Sequence, residues 1–289
     1  MQKIVEHGDY KYKKYKKIPD ADELTSYYTK KYFKNNKNYA YQKDPVEIEY
    51  ERAETEFLLD VLTHFYEQSL SSVVEVGSGE GFFLANALKR ELDCQGFDYS
   101  IDQLLDEHAF CKDAFNVSND PIASVCELSI PLSCIVLRHV IEHVPDPVST
   151  VRDLSSILDK GSLLVIEAPH DFKPLQLKLV KEGFSLEEYW LCYPDHLSYF
   201  SPAQLSDLLT DNGFVVRECY GDHPIELMLL SEKFNYQLNK GVGKSVHHLR
   251  CAISSYLYKN TPLNELLALR RAYCNCEIGR SFTVIAERV

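Results

Sequence analysis

The sequence predicts an α/β fold, a mostly parallel sheet with helices on both faces and a ligand at the carboxyl ends of its strands. Three observations predict it. Short apolar runs alternate with amphipathic segments between residues 72 and 167, which implies right-handed crossovers in one sheet. Within them, Val73-Val74-Glu75-Val76-Gly77-Ser78-Gly79-Glu80-Gly81 reads as a strand, a tight glycine turn and a helix start. A second strand, 94–98, ends on Asp98, about 20 residues past the glycines, where a carboxylate can accept hydrogen bonds from ribose hydroxyls.

The elements follow in order. Residues 1–45 form a polar lead rich in Lys and Tyr, with Tyr27, Tyr28, Tyr32 and Phe33 clustered. A helix over 46–69 is marked by Ile48, Phe57, Leu58, Val61, Leu62 and Phe65 at mostly three- or four-residue spacing. Then come strand 72–76, helix 80–91, strand 94–98, helix 101–107 and a third strand near 109–112. Strand 134–138, helix 147–158 and strand 162–167 continue the alternation, and a sixth strand covers 214–219. The long aromatic and polar stretch 169–200 is expected to form a lid at the ligand end. Residues 221–280 read as mostly helical on the substrate side, ahead of a last strand at 281–287. The core thus spans 46–220 and is completed by 281–289.

A dinucleotide turn would need glycine at position 82, which is Phe82, so the dehydrogenase reading fails. The E-x-G-x-G-x-G pattern instead resembles the cofactor turn of class I S-adenosylmethionine-dependent methyltransferases. Ile135 to Pro147 resembles that family's fourth strand followed by H-V-x-E-H-V-x-D-P. Leu154 to Ala168 resembles its helix, L-x-x-G-G and fifth strand, with Ser162 in place of the second glycine. His196 to Val216 resembles its H-L-x-x-F-S, helix and G-F-x-V segment. One departure is Ser133, where the family usually has aspartate. The likeness covers roughly residues 50–220 and the final strand. It implies a Rossmann-like sheet of seven strands, the last antiparallel, and S-adenosylmethionine as cofactor.

By that resemblance Gly77, Ser78, Gly79 and Gly81 let backbone approach the cofactor. Glu75 fixes the turn or reaches the cofactor's amino group, Asp98 binds the ribose, and Tyr99 packs on adenine. Asp113 and Ala114 face the adenine amino group, and Arg138 and His139 line the methionine end.

Composition fits a reduced, cytoplasmic enzyme. The 289 residues can bury a full core, and no apolar run reaches the roughly 20 residues of a membrane helix. The nine cysteines form no C-x-x-C pair, so neither a disulfide frame nor a zinc site is expected. The net charge of −12 argues against a nucleic-acid partner. Residues 1–43 hold eleven lysines against five acidic residues, which leaves −18 for the rest; the Lys11–Lys17 run is expected to be a solvated terminus.

Methyl transfer requires no metal, since the sulfonium is already a leaving group. For a hydroxyl acceptor a histidine base helps, and the order of candidates is His196, His170, His143. Gly221 to Leu227, Gly243 to Arg250 and Ile278 to Arg280 resemble methyltransferases of sugar and cell-surface polysaccharide biosynthesis. That implies O-methylation of a sugar-type, nucleotide-linked or phosphorylated small molecule. Tyr193, Tyr199, Lys244, His247 and Arg250 are the candidate substrate contacts. Methylation at nitrogen or carbon, or a non-catalytic cofactor-binding protein, are the alternatives. Gly243-Lys244-Ser245 is not a P-loop, because Leu238 stands where its first glycine would be.

Overall fold

The computed structural model describes residues 4–19, 23, 26–27, 43–65 and 70–289. Tyr28, Tyr32 and Phe33, and the end of the 46–69 helix, lie outside the described residues.

The central sheet has seven strands: β3 (Val73–Val76), β4 (Cys94–Asp98), β5 (Phe115–Val117), β6 (Cys134–Arg138), β7 (Leu163–Pro169), β9 (Phe214–Gly221) and β10 (Ser281–Arg288). Their order is β5-β4-β3-β6-β7-β10-β9. All neighbours run parallel except β10, which pairs antiparallel with β7 and β9. This is the Rossmann-like arrangement expected from the sequence, antiparallel strand included. Val76 stands beside Phe97 on one side and Leu137 on the other. The carboxyl ends of β4, β3 and β6 are therefore level, at the point where strand order reverses and a crevice opens.

Alternation along the buried strands divides the core in two. Val74, Val76, Ile135, Leu137, Leu164 and Ile166 pack on one face, beneath α4 (Pro147–Ile157) and α6 (Pro202–Asp211). Val73, Cys134, Val136, Leu163 and Val165 pack on the other, beneath α1 (Pro45–Phe65), α2 (Phe82–Lys89) and α8 (Leu263–Asn275). Helix starts are chemically marked. Asp146 accepts N–H bonds from Val148 and Ser149 with proline at the first turn, and Ser201 and Gln204 form a reciprocal capping box on α6. Helix α3 (Pro121–Cys126) follows β5, and α5 (Pro174–Lys181) lies in the 169–200 segment.

The structure corrects three expectations. Residues 101–105 are a turn rather than a helix. The third strand is 115–117 rather than 109–112, because 106–114 wind as a 3-10 helix that buries His108 and Cys111. The lysine run is not simply a solvated terminus. β1 (Ile4–His7) and β2 (Tyr12–Tyr15) form a hairpin, and β2 pairs with β8 (Ser198–Tyr199) of the 169–200 segment. Tyr12, Lys14 and Tyr15 are buried there, and the Lys14 ammonium donates to the Pro145 carbonyl at 2.6 Å. Tyr12 and Tyr15 stand three positions apart, so the run carries no period of two that would mark it as a strand. Among the described residues no helix is long and apolar enough to cross a membrane.

Candidate active site

A cleft of about 1020 Å³ opens over the carboxyl ends of β3, β4 and β6. Its floor is the glycine turn. Gly77, Gly79 and Gly81 have φ of +77°, +47° and +81°, the left-handed region that side chains resist. Their reasons differ. A Cβ on Gly77 would lie 2.5 Å from the Val140 side chain, and one on Gly81 2.5 Å from Leu104. A Cβ on Gly79 would meet nothing within 4 Å, because that position faces the cleft. Asp98 locks the turn, accepting from the N–H of Gly79 at 2.7 Å and of Tyr99 at 2.6 Å.

Glu75 ends β3 beneath the turn. It is buried, and Oε2 has no hydrogen-bond partner. Burial pushes its carboxyl up to about 8, against the opposing pull of the Arg138 guanidinium. Such a carboxyl suits a ligand that brings its own ammonium group. The orphaned acid, the open face of Gly79 and the size of the cleft fit S-adenosylmethionine.

Of the sequence-predicted cofactor residues, Glu75, Gly77, Ser78, Gly79, Asp98, Tyr99, Arg138 and His139 line this cleft, and Gly81 shapes the turn from behind. Asp113 and Ala114 do not. They close the 3-10 helix one strand too early, and the cleft wall is formed instead by Asn119, Asp120, Pro121 and Ile122 after β5. Displacing the third strand by about a turn in the sequence reading displaced its carboxylate with it.

The far end of the cleft is a chain of alternating charges. Arg138 Nε donates to Glu167 Oε2 at 2.7 Å, with Glu51 at 3.9 Å on its other side. His139, held at φ +53°, sits 3.3 Å from Glu167 and 3.4 Å from Glu142. Burial would lower its pKa, but the two carboxylates outweigh burial and raise it to about 10. At neutral pH His139 is therefore an imidazolium and not a resting base. Lys43 pairs with Glu51 and Glu80 across the rim.

The three predicted bases separate sharply. His143 lines the cleft, its Nδ1 donating to the Asp195 carbonyl at 2.8 Å. A carbonyl only accepts, so Nδ1 carries a proton, while Nε2 stands 3.8 Å from Glu142 Oε1. His196 does not line the cleft. Its ring packs edge-on behind His143 at 5.1 Å, and burial, then the His143 charge, lowers it to about 4. His170 is buried against Phe282, outside the cleft, with neither ring nitrogen bonded.

The predicted substrate contacts also lie elsewhere. Tyr193 packs on Tyr15, and Tyr199 is buried with its hydroxyl accepting from the Cys192 N–H. On α7 (Gly243–Asn260), Lys244 pairs with Asp44 and His247 with Glu47 at the start of α1. Arg250 is held by Asp222 at 3.0 Å and covers the Tyr50 ring. Lys244 and His247 thus face the acidic start of α1, and Arg250 faces Asp222. Sequence reading missed Glu51, Glu142 and Glu167. The one available signal was acid at positions 47, 51 and 54 on the otherwise apolar face of α1.

The chain matches the family model described as a methyltransferase domain over residues 49–218. No curated protein matches it. Among solved structures, magnesium protoporphyrin IX methyltransferase from Synechocystis PCC 6803 with bound SAH is 13% identical with a TM-score of 0.54, over 93% of this chain and 100% of that one. The plantazolicin methyltransferase BpumL in complex with SAH is 14% identical with a TM-score of 0.53, over 93% and 95%. At such identities the likeness is one of fold. The family match, over more than half the chain, joins the fold and the glycine-floored cleft: this chain belongs to the methyltransferase domain family, as an S-adenosylmethionine-dependent class I methyltransferase.

Proposed function

We propose that the enzyme methylates a hydroxyl oxygen of a sugar-type or nucleotide-linked small molecule, and that His143 is the residue the acceptor meets. One observation carries this reading. His143 is the one predicted base that lines the cleft, with its ring oriented by the Nδ1 bond to the Asp195 carbonyl. Bound S-adenosylmethionine supplies a methyl group on a sulfonium: the oxygen–carbon bond forms, the carbon–sulfur bond breaks with its electrons to sulfur, and the hydroxyl proton is lost. The protein's part is alignment and relief of that proton.

The acceptor class is supported by sequence resemblance in three segments that meet one another. Asp222 accepts from Arg250, and Gly279 lies against Gly221 and Asp222. The 169–200 segment supports a lid role, since Asp195 supplies the carbonyl that orients His143. Locations of Tyr193, Tyr199, Lys244, His247 and Arg250 favour a scaffolding role over substrate contact.

The test is a screen of nucleotide sugars and free sugars for products heavier by one methylene, followed by His143→Ala on the best acceptor. Turnover should fall by about 10²–10⁴, the usual worth of a positioned base, with cofactor affinity unchanged. Full turnover in that variant would overturn the role of His143, and turnover only on amines would move the acceptor from oxygen to nitrogen.

A further inference from the structure

Behind the cleft-facing edge of His143, the turn after β6 and the 169–200 segment bring three metal-ligating side chains together across 54 residues of sequence. Glu142, His143 and His196 each offer a ligand atom, all within 4.8 Å of one another. Glu142 is 2% exposed, and neither of its oxygens makes a hydrogen bond. The His139 imidazolium at 3.4 Å gives it a countercharge without hydrogen-bond geometry. Nδ1 of His196 and Oδ1 of Asp195 are buried beside it without hydrogen-bond partners. Native interiors rarely leave so many polar atoms unmatched at one point.

The surroundings suit a cation. A metal-bound imidazole commonly donates its other N–H to a carbonyl or carboxylate, which fixes ring and tautomer. His143 does this through Nδ1 to the Asp195 carbonyl. Its Nε2 stands 3.8 Å from Glu142 Oε1. Ligand atoms about 2.0–2.1 Å from a tetrahedral ion lie roughly 3.3 Å apart, so the Glu142–His143 pair closes by about 0.5 Å and no pair in the cluster needs more than about 1.5 Å.

We propose that Glu142, His143 and His196 form a binding site for one divalent transition cation at the acceptor end of the cleft. Two imidazoles and one carboxylate favour ions of the zinc, cobalt or iron type over magnesium and calcium, which prefer oxygen. Three protein ligands leave a position open, and of the three only His143 borders the cleft. If the acceptor reached that position, the cation would lower the pKa of its hydroxyl, and His143 would serve as a ligand in place of a base. This role rests on the reading that the acceptor meets His143, whereas the site itself does not. A second cluster, Asp44, Glu47 and His248, has similar ligands. It already holds the Lys244 ammonium 3.3 Å from Asp44, so it serves as a control.

The experiment is titration of the chelator-treated full-length protein with Co(II), read by visible absorption. One saturating equivalent displaced by Zn(II) is expected, lost in Glu142→Gln and in His196→Ala and kept in His248→Ala. S-adenosylmethionine affinity, measured by calorimetry on the same samples, should be unchanged and shows that the variants are folded. No saturable band in the wild type overturns the proposal without any variant, as does a band that survives both substitutions. Loss of turnover in His143→Ala with no cobalt band would leave O-methylation standing and remove the metal.

Discussion

The glycine-turn end and the charged end of the cleft are built by different means. The glycine-turn end is a local construction. Residues 75–81 and 98–99 adjoin because β3 and β4 are neighbouring strands, and its working surface is largely backbone. The charged end is assembled from side chains far apart in the chain. Glu51 comes from α1, Arg138 to His143 from the end of β6, Glu167 from β7, and Asp195 from the segment after it. Backbone geometry follows from residue type, whereas paired side chains depend on where distant elements pack. The difference teaches that substitutions in the first half should act through shape and in the second through charge.

The largest break in that comparison is Gly79→Val. The other two turn glycines touch packed neighbours, but this one faces open space. A branched side chain there fills the cofactor's place, and S-adenosylmethionine binding should be abolished. The left-handed φ costs the fold about 1–2 kcal/mol. Calorimetry on the folded variant decides it, and retained affinity would remove the cofactor assignment from this turn.

Asp98→Ala comes next. It removes the acceptor of two turn N–H bonds along with the predicted ribose contact, and should weaken cofactor binding by about 1–3 kcal/mol. An unchanged dissociation constant would leave Asp98 only a turn lock.

The pH dependence of cofactor binding sharpens the comparison further. In the free protein Glu75 is pushed up to about 8, so at pH 7 it holds its proton. A cofactor ammonium favours the carboxylate, so binding at pH 6–7.5 should release close to one proton. Affinity should then rise by up to about tenfold per pH unit across that window. Calorimetry in buffers of different ionisation enthalpy measures the proton directly, and a flat profile would show that the cofactor does not meet Glu75.

The smallest effect is expected at His170. Its ring is buried beyond the cleft and lowered to about 4, by burial first and then by Lys173, so it is neutral at pH 7. His170→Phe should leave turnover and cofactor affinity unchanged, and shift stability by about 1–3 kcal/mol from overpacking, less the relief of unbonded ring nitrogens. A large loss of turnover would put the base back beyond β7.

Much of the architecture was legible beforehand, for identifiable reasons. Strands β3, β6 and β7 are apolar runs, β4 follows Asp93 and ends on Asp98, and the glycine turn names its own conformation. The third strand was misplaced because Phe115 to Val117 is three residues long, too short to carry a period. The β1–β2 hairpin was missed because β2 is lysine-rich and its buried Tyr12 and Tyr15, three positions apart, show no strand period.

The sequence by itself determined the fold class, the cofactor turn with its carboxylates Glu75 and Asp98, and the set of histidines from which a base would come. These rest on local residue chemistry: glycines that accept left-handed backbone, and apolar alternation that fixes strands. Only the tertiary structure decided that His143 faces the cleft, that His196 stands behind it, that His170 lies outside, and that Lys244 and Arg250 are bound to α1 and Asp222. A side chain's role at such a site depends on which charges reach it through space, and those are set by packing between elements up to a hundred or more residues apart.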